Sequence, residues 1–585
     1  MSFIDSLTPE TLAVVAPYLK PVKFAKGQCL VQEGDTGDGC YIIDEGEVRL
    51  ELRHVETDSD GVLGYLGKGT VLGEFSLLDG LPRSASAYAQ ADTSARWFSK
   101  GDFEQLNKAH PAAGVEILNS LGRELSAKLR QQNRQLSEHL FSHEADADTS
   151  RTVAQATAAQ QSFAKWSEDR VDALLQDIAA TVADHAEMLA ETNVADSGIG
   201  VAKDKVAKIR FACMEVCRTL VGKTASGPLA GNGNLRVVEM ASPVGVVLGI
   251  IPVTNPVSTI LFKTQVCLKG RNALILSCHR DAMRVGDMTG ELIRSVLVKH
   301  QAPAELVQWI RKRTDRRKTM MYMRHPGVKF ILATGGPSIV EAAYSSGTPA
   351  IGVGAGNAPV LVCSDADADQ AASQIVQGKS FDNGVICGSE NNLVVVKAIR
   401  TAFIEGLTRH GALMVSGDAQ HRLTATLFDE EGHLRKDFVG KSATHIAQAS
   451  GSTVSSDIRL LVVPVDREAL AGPYGHEKLA PILSLFTVAD EEEGIRVCRQ
   501  ILEQQGIGHT AVIHTTNETM ARNFGAEMPA SRILVNVPAS MGCIGIGTGL
   551  TPSFTLGCGT DGGNSTTDNV TYTHLLNIKR LAFPG

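Results

Sequence analysis

One thiol in this chain is set among glycines. The stretch FDNGVICGSE, residues 381–390, places Cys387 after Gly384 and before Gly388. Glycines let a backbone approach a ligand closely. A nucleophilic thiol must be reachable, must be favoured as thiolate, and must meet donors for the oxyanion it creates. A helix or tight turn starting near 387 would supply N–H groups for both charges. A side-chain amide is also wanted, and IIPVTNPVST, residues 250–259, offers Asn255 at the end of an apolar strand. Ligands bind at the C-terminal ends of strands in open α/β sheets. Alone, each residue has an ordinary explanation: a cysteine packs in a core, and an asparagine before proline makes a turn. Cys543 and Cys558 also lie in glycine-rich segments and are rival thiols. Cys213 and Cys217 sit one helical turn apart without a nearby histidine, which suits packing. No CxxC pair occurs among the 11 cysteines, so no metal site is expected.

A second cluster lies in VLGEFSLLDGLPRSASAYA, residues 71–89, which holds Gly73, Glu74, Arg83, Ser84 and Ala85. A guanidinium pairs with phosphate charge. Backbone N–H groups around Ala85 can donate to phosphate oxygens. The carboxylate can accept from a ribose hydroxyl. The set suits a cyclic phosphodiester, and equally a surface Arg–Glu pair in a polar turn.

The elements that must position these groups follow from composition and periodicity. The chain has 585 residues, 43% hydrophobic and 21% charged, with a net charge of −8. That is ordinary soluble composition with several domains. It exerts no pull on nucleic acid or anionic membrane. MSFIDSLTPETL is no secretory leader, and PVGVVLGIIPV falls short of the ~20 residues a spanning helix needs. A cytoplasmic protein with reduced cysteines is expected. Residues 20–100 show short strands between glycine turns, an all-β domain. Leu118, Leu121, Leu125, Leu129, Leu136 and Leu140 then form an apolar helical stripe. It predicts either a helix lying on its own domain or a dimeric coiled coil. SHEADADTSRTVAQATAAQQS lacks large apolar residues and is the candidate linker. From about residue 160, strand and helix patterns alternate, which predicts parallel sheets with helices on both faces.

Residues 71–89 resemble the phosphate-binding cassette of cyclic-nucleotide-binding domains. Gly27, Gly34 and Gly46 fall where that family turns its β jelly-roll, and the likeness covers about residues 5–140. The resemblance implies that Glu74 takes the ribose 2′-hydroxyl and Arg83 the cyclic phosphate. Ser84 suits phosphate or a guanine edge, so cAMP and cGMP both stay open. No helix-turn-helix follows.

Four further blocks resemble the aldehyde dehydrogenase superfamily, and within it the CoA-acylating branch. They are IIPVTNPVSTILFKTQVCLKGRNALILSCHR, ILATGGPSIVEAAYSSGTPAIGVGAGNAPVLV, FDNGVICGSENNLVVV and PASMGCIGIGTGLTPSFTLGCGTDGGNSTTDNV. The likeness spans about residues 160–580 and includes the aldehyde dehydrogenase half of bifunctional aldehyde–alcohol dehydrogenases. It implies an α/β fold with a Rossmann-like cofactor domain and an α/β catalytic domain. The expected borders are 1–108 for the β-roll, 109–158 for a helical linker, 159–375 for the NAD(P) domain and 376–585 for the catalytic domain. The last of these would return to the cofactor domain and an oligomer interface. Cys387 would be the nucleophile and Asn255 its oxyanion donor. Pro252 and Thr254 would line the dinucleotide site, Ser277 and His279 the adenosine ribose, and Gly335 and Gly336 the pyrophosphate. Glu477, in HEKLAP, would hold the nicotinamide ribose. NAD is implied, with NADP open because His279 and Arg280 can meet a 2′-phosphate. A homodimer or homotetramer is expected.

One absence matters as much. Hydrolytic relatives place a water-activating glutamate before a Leu-Gly-Gly-Lys segment; here the stretch is AIGVGAGNAP, with Gly352 in that place. Without such a base the acyl-enzyme persists until a CoA thiol arrives. His509 is either an assisting base or a buried structural histidine. The expected reaction is oxidation of a short aldehyde with NAD and CoA to acyl-CoA, reversibly, with a cyclic nucleotide as effector. Acetaldehyde is the default, with sulfoacetaldehyde and succinate semialdehyde open. The alternatives are a hydrolytic aldehyde dehydrogenase or an inert, nucleotide-responsive scaffold.

Overall fold

The computed structural model describes residues 6–54, 59–229, 236–311 and 316–584. The chain divides into two compact units, Met1–Glu144 and Ala145–Gly585.

The first unit is built on two four-stranded antiparallel sheets. Its turns use glycines with left-handed φ, among them Gly34 at 86° and Gly46 at 99°. Helix α1 (Pro111–Phe163) begins against this unit. Ile117 and Leu121 are buried with Ile42, Val71 and Phe98 in one core. Leu118, the first member of the expected stripe, instead faces solvent at 38% exposure. Residues 117 and 121, four apart, share the inner face, and 118 is turned about 100° away from 117. The early part of α1 therefore lies on its own domain. The side chains of Leu129, Leu136 and Leu140, which would carry a coiled coil, lie outside the described residues. The stretch read as a linker is helix, and at its far end Val153, Ala156 and Phe163 enter the core of the second unit.

The second unit holds two parallel sheets. The first contains β1 (Val246–Ile251), β2 (Ala273–Cys278), β3 (Val307–Trp309), β4 (Val328–Thr334) and β5 (Ala350–Val353) in the order β3-β2-β1-β4-β5. The chain runs outward from β1 to β3, then returns to the other side of β1 with β4. That reversal is the switch point at which open α/β sheets bind ligands. Strand β1, VVLGII, is buried at every position, as a strand covered on both faces must be. Helix α3 (Pro256–Lys269) is buried along its whole length. Its Lys263 Nζ donates to the Ile250 carbonyl at 2.6 Å and the Leu332 carbonyl at 2.7 Å. One amine thus ties β1 to β4 at the switch point.

The second sheet contains β6 (Ala358–Val362), β7 (Glu390–Val396), β8 (Ala412–Met414), β9 (Leu460–Pro464), β10 (Ile482–Val488), β11 (Gly508–His514) and β12 (Ala530–Val535). Its order is β8-β9-β10-β7-β6-β11-β12. A three-stranded antiparallel sheet joins Val237–Pro243 to Gly227–Pro228 and to the C-terminal strand Leu576–Ala582. Among the described residues no helix is long and apolar enough to cross a membrane.

Candidate functional site

The C-terminal ends of β1, β2, β4 and β5 open into a cavity of about 810 Å³, which the loop carrying Cys387 also lines. Pro252, Thr254 and Asn255 reach it from the end of β1, and Ser277 and His279 from the end of β2. Gly335 and Gly336 reach it from the end of β4, and Glu477 from a separate loop. The fold thus brings every site residue expected in this unit to one cavity. Of the three glycine-flanked thiols only Cys387 lines it; Cys543 and Cys558 are buried elsewhere in the core.

Cys387 is half-buried. The turn before it is strained, with Asp382 at φ 50° and Asn383 at φ 54°. No helix begins at 387; a turn closes there instead, Ser389 N donating to Ile386 O at 2.9 Å. Burial first, then Cys543, Glu477 and Cys558, push the Cys387 thiol well above the ordinary range. The expected ready-made thiolate is therefore not what this site provides. Close approach explains two glycines. A Cβ on Gly356 would overlap the Cys387 carbonyl oxygen, and one on Gly388 would lie 2.5 Å from Cys543 Sγ.

Asn255 precedes the first turn of α3, with Pro256 at its first position. Its amide Oδ1 accepts from Lys208 Nζ, and its Nδ2 lies 3.3 Å from Thr254 Oγ1. The Glu477 carboxylate accepts from Gly356 N at 3.1 Å, and burial lifts it to about 7. His509 Nδ1 lies 2.9 Å from Thr510 Oγ1. Burial, with Arg532 nearby, drops its imidazole to about 3, so it is neutral through the working range. Its Nε2 is buried and unpartnered.

The donors fit a dinucleotide. Gly336 precedes α4 (Pro337–Tyr344), and a side chain there would meet open space. Thr334 Oγ1, at the end of β4, is buried without a partner and lines the cavity. An anionic pyrophosphate meets N–H groups at such a helix start. Ser277 Oγ lies 3.2 Å from Thr319 Oγ1 at the far end. His279 and Arg280 there share Asp281, at 3.6 and 3.4 Å.

The place of the missing glutamate needs correction. A Cβ on Gly352 would meet Val340 Cγ1 at 2.6 Å and Tyr344 Cε2 at 3.1 Å, on the α4 side. Successive residues of a strand face opposite ways. The next residue, Val353, is the one that lines the cavity with Cys387, so the cavity-facing position carries an isopropyl group. Sequence reasoning also missed Lys208, since a lysine on a helix reads as a solvated face. It missed Lys436 too, which lines the cavity on the His279 side from a distant turn and has no local signature.

In the first unit, Glu74 opens the helix Glu74–Asp79 and is nearly fully buried. Its carboxylate accepts from Lys128 Nζ at 2.6 Å, and Lys128 also donates to Val71 O at 3.0 Å. Buried Arg83 donates to Gly39 O at 2.8 Å and lies 3.5 Å from Asp38 Oδ1. Gly73, at φ 88°, has no room for a Cβ beside the Arg83 guanidinium. Ser84 is exposed, and Ala85 half-buried, in the bend that follows.

The profile of the aldehyde dehydrogenase family matches residues 133–432. The chain is 33% identical over 432 residues to the acetylating succinate-semialdehyde dehydrogenase of Clostridium kluyveri, covering 74% of this chain and 94% of that one. The chain belongs to the aldehyde dehydrogenase family. The chain is also 36% identical over 441 residues to the bifunctional aldehyde-alcohol dehydrogenase AdhE of Escherichia coli K12. That match takes in 74% of this chain but 49% of the relative, so it spans about half the relative's length. An acetylating aldehyde dehydrogenase from Geobacillus thermoglucosidasius has a similar structure, with a TM-score of 0.74 and 36% identity. The likeness covers 76% of this chain and 98% of that one. Residues 21–110 of the chain match the profile of the cyclic nucleotide-binding domain.

Proposed function

We propose that this chain is a CoA-acylating aldehyde dehydrogenase that takes a short aldehyde, NAD and CoA to acyl-CoA and NADH. The observation that carries the reading is a single cavity lined by Cys387, Asn255 and Glu477, with the isopropyl group of Val353 in the same lining. The acetylating activity named for the relatives from C. kluyveri and G. thermoglucosidasius supports it.

The Cys387 thiol, which lines the open cavity, gives its proton to solvent there, and its sulfur adds to the aldehyde carbonyl. Asn255 Nδ2 and the Cys387 backbone N–H donate to the resulting oxyanion. Gly335, Gly336, Pro252 and Thr254 hold the dinucleotide, with Ser277 and His279 at the adenosine ribose and Glu477 at the nicotinamide ribose. What a bound nicotinamide supplies is acceptance of the hydride leaving the hemithioacetal carbon, after which Cys387 carries a thioester. Val353 has no lone pair with which to deprotonate water, so the thioester waits. The CoA thiolate then adds to its carbonyl, the C–S bond to Cys387 breaks, and acyl-CoA departs. The proton of the incoming CoA thiol is matched by the Cys387 thiolate that departs, so the exchange leaves no net charge behind. NADP remains a second dinucleotide, since His279, Arg280 and Lys436 gather at the ribose end.

On this reading residues 1–108 form a β jelly-roll that binds cAMP or cGMP, through Arg83 at the phosphate and Glu74 at the ribose. Gly73, Ser84 and Ala85 complete that cassette. Residues 109–158 are a helical linker, 159–375 the NAD(P) domain and 376–585 the catalytic domain, in a homodimer or homotetramer. The bound nucleotide alters turnover.

The test is NADH formation from short aldehydes with and without CoA, with acyl-CoA identified as product. Cys387→Ser should abolish it. Free acid formed at full rate without CoA would overturn the reading.

A further inference from the structure

Beneath the cavity lies a group of buried charges with no part in the reaction as described above. Helix α2 (Ala202–Phe211) sends Lys205 and Lys208 inward, one turn apart, and their side chains are 3% and 1% exposed. Both ammonium groups reach Asp382 Oδ2, Lys205 at 3.1 Å. The Asp382 carboxylate, fully buried, takes a further bond from Val201 N at 2.6 Å, and its backbone N donates to Asp204 Oδ2 at 2.8 Å. Lys205 also donates to the Thr254 carbonyl at 2.9 Å, while Lys208 donates to Asn255 Oδ1.

The chemistry of the last contact is directional. An ammonium has donors and no acceptor, so only the oxygen side of a carboxamide can face it. With Oδ1 committed to Lys208, the NH₂ side of Asn255 is turned away from that ammonium; one of its hydrogens goes to Thr254 Oγ1 at 3.3 Å, which leaves the second for a ligand in the cavity that Asn255 lines. The same ammonium holds Asp382, which begins the strained turn that ends at Cys387. One nitrogen therefore ties both sides of the thiol–amide pair. A hydrogen bond from a cation also polarises the amide and strengthens its remaining N–H as a donor.

We infer that Lys208 is a positioning residue for the acylation chemistry: it fixes which face of Asn255 meets the oxyanion and sets the spacing of that amide from Cys387. The inference rests on the proposed function, since it assumes an oxyanion between Asn255 and Cys387. Lys208 touches neither substrate nor dinucleotide and acts through Asn255. Without it the amide is free to turn its oxygen toward the developing negative charge.

A double-mutant cycle tests this in the full-length enzyme, with CoA-dependent turnover and NADH affinity measured together. Asn255→Ala should lower kcat about 100- to 1,000-fold, the usual effect of losing one oxyanion donor. Lys208→Met should lower kcat and kcat/KM together, about 10- to 100-fold, with NADH binding unchanged. Placed on Asn255→Ala, Lys208→Met should add less than about twofold, because its effect is already spent. A structural role alone would instead multiply with Asn255→Ala. Lys208→Ala should recover part of its loss on addition of ethylammonium, which refills the cavity with the same donor. If Lys208→Met does not fold, Lys208→Gln, which keeps a donor toward Oδ1 and leaves the Lys205–Asp382 pair, gives the same cycle with a smaller loss. Wild-type kcat in Lys208→Met, or full multiplication in the double variant, overturns the inference. Wild-type turnover and its loss in Asn255→Ala report separately on the proposed function.

Discussion

The proposed reaction needs a thiolate at Cys387, yet the sulfur is surrounded by burial and other thiols. In the nucleotide-free enzyme, alkylation of Cys387 by iodoacetamide should keep accelerating above pH 9 rather than level off near the ~8.5 of a free cysteine. Levelling below pH 8 would contradict the environment described. Glu477 gives the second pH signature. Its carboxyl is held at about 7, so it gains its charge as pH rises through neutrality. NADH should bind more tightly at pH 8 than at pH 6, and Glu477→Gln should flatten the profile and weaken binding about tenfold. A third prediction concerns Val353. Val353→Glu sets a carboxylate on the cavity side of β5 and should raise CoA-independent acid formation above the wild-type background; Gly352→Glu, facing Val340 and Tyr344, should fail to do so. The contrast shows what sequence can carry at this scale. That Cys387, Asn255 and Glu477 line one cavity was legible because their flanking residues are distinctive. The base position was misplaced by one residue, and on a strand one residue changes the face. Lys208 was hidden because its burial depends on Asp382, 174 residues away in sequence.

Among the elements, α3 shows how a polar group can serve a buried helix. Lys263 is fully enclosed, and burial lowers its amine to about 7 from an ordinary 10.5. Between those two values the unfolded chain binds more protons than the folded one, so this group's contribution to stability rises with pH across that window. Lys263→Met should remove that slope. It should also leave the carbonyls of Ile250 and Leu332 unsatisfied, at a cost of about 2–4 kcal/mol. Differential scanning calorimetry from pH 7 to 10 measures both. The alternation of β and α patterns was enough to foresee the parallel sheets, because fully buried runs such as VVLGII have few other uses. The leucine stripe was less informative. Leu121 of the stripe does face inward, together with Ile117, whereas Leu118 faces solvent.

For the whole molecule, the question is whether the first unit speaks to the second. The groups proposed to bind a nucleotide in the first unit are already engaged, Glu74 by Lys128 and Arg83 by Gly39 and Asp38. A nucleotide that uses Glu74 must share or displace Lys128, which sits on α1, and the border of the two units falls within that helix. Arg83→Ala should weaken cAMP or cGMP binding at least tenfold by calorimetry while leaving turnover without nucleotide intact. Identical turnover at zero and saturating nucleotide would show that the two units work independently. The isopropyl group at Val353 has a practical consequence for any sample of this protein. On the proposed reaction, withholding the thiol acceptor should let each competent chain reduce one dinucleotide and then stall with its sulfur capped. The height of that first absorbance jump counts the working subunits in the tube.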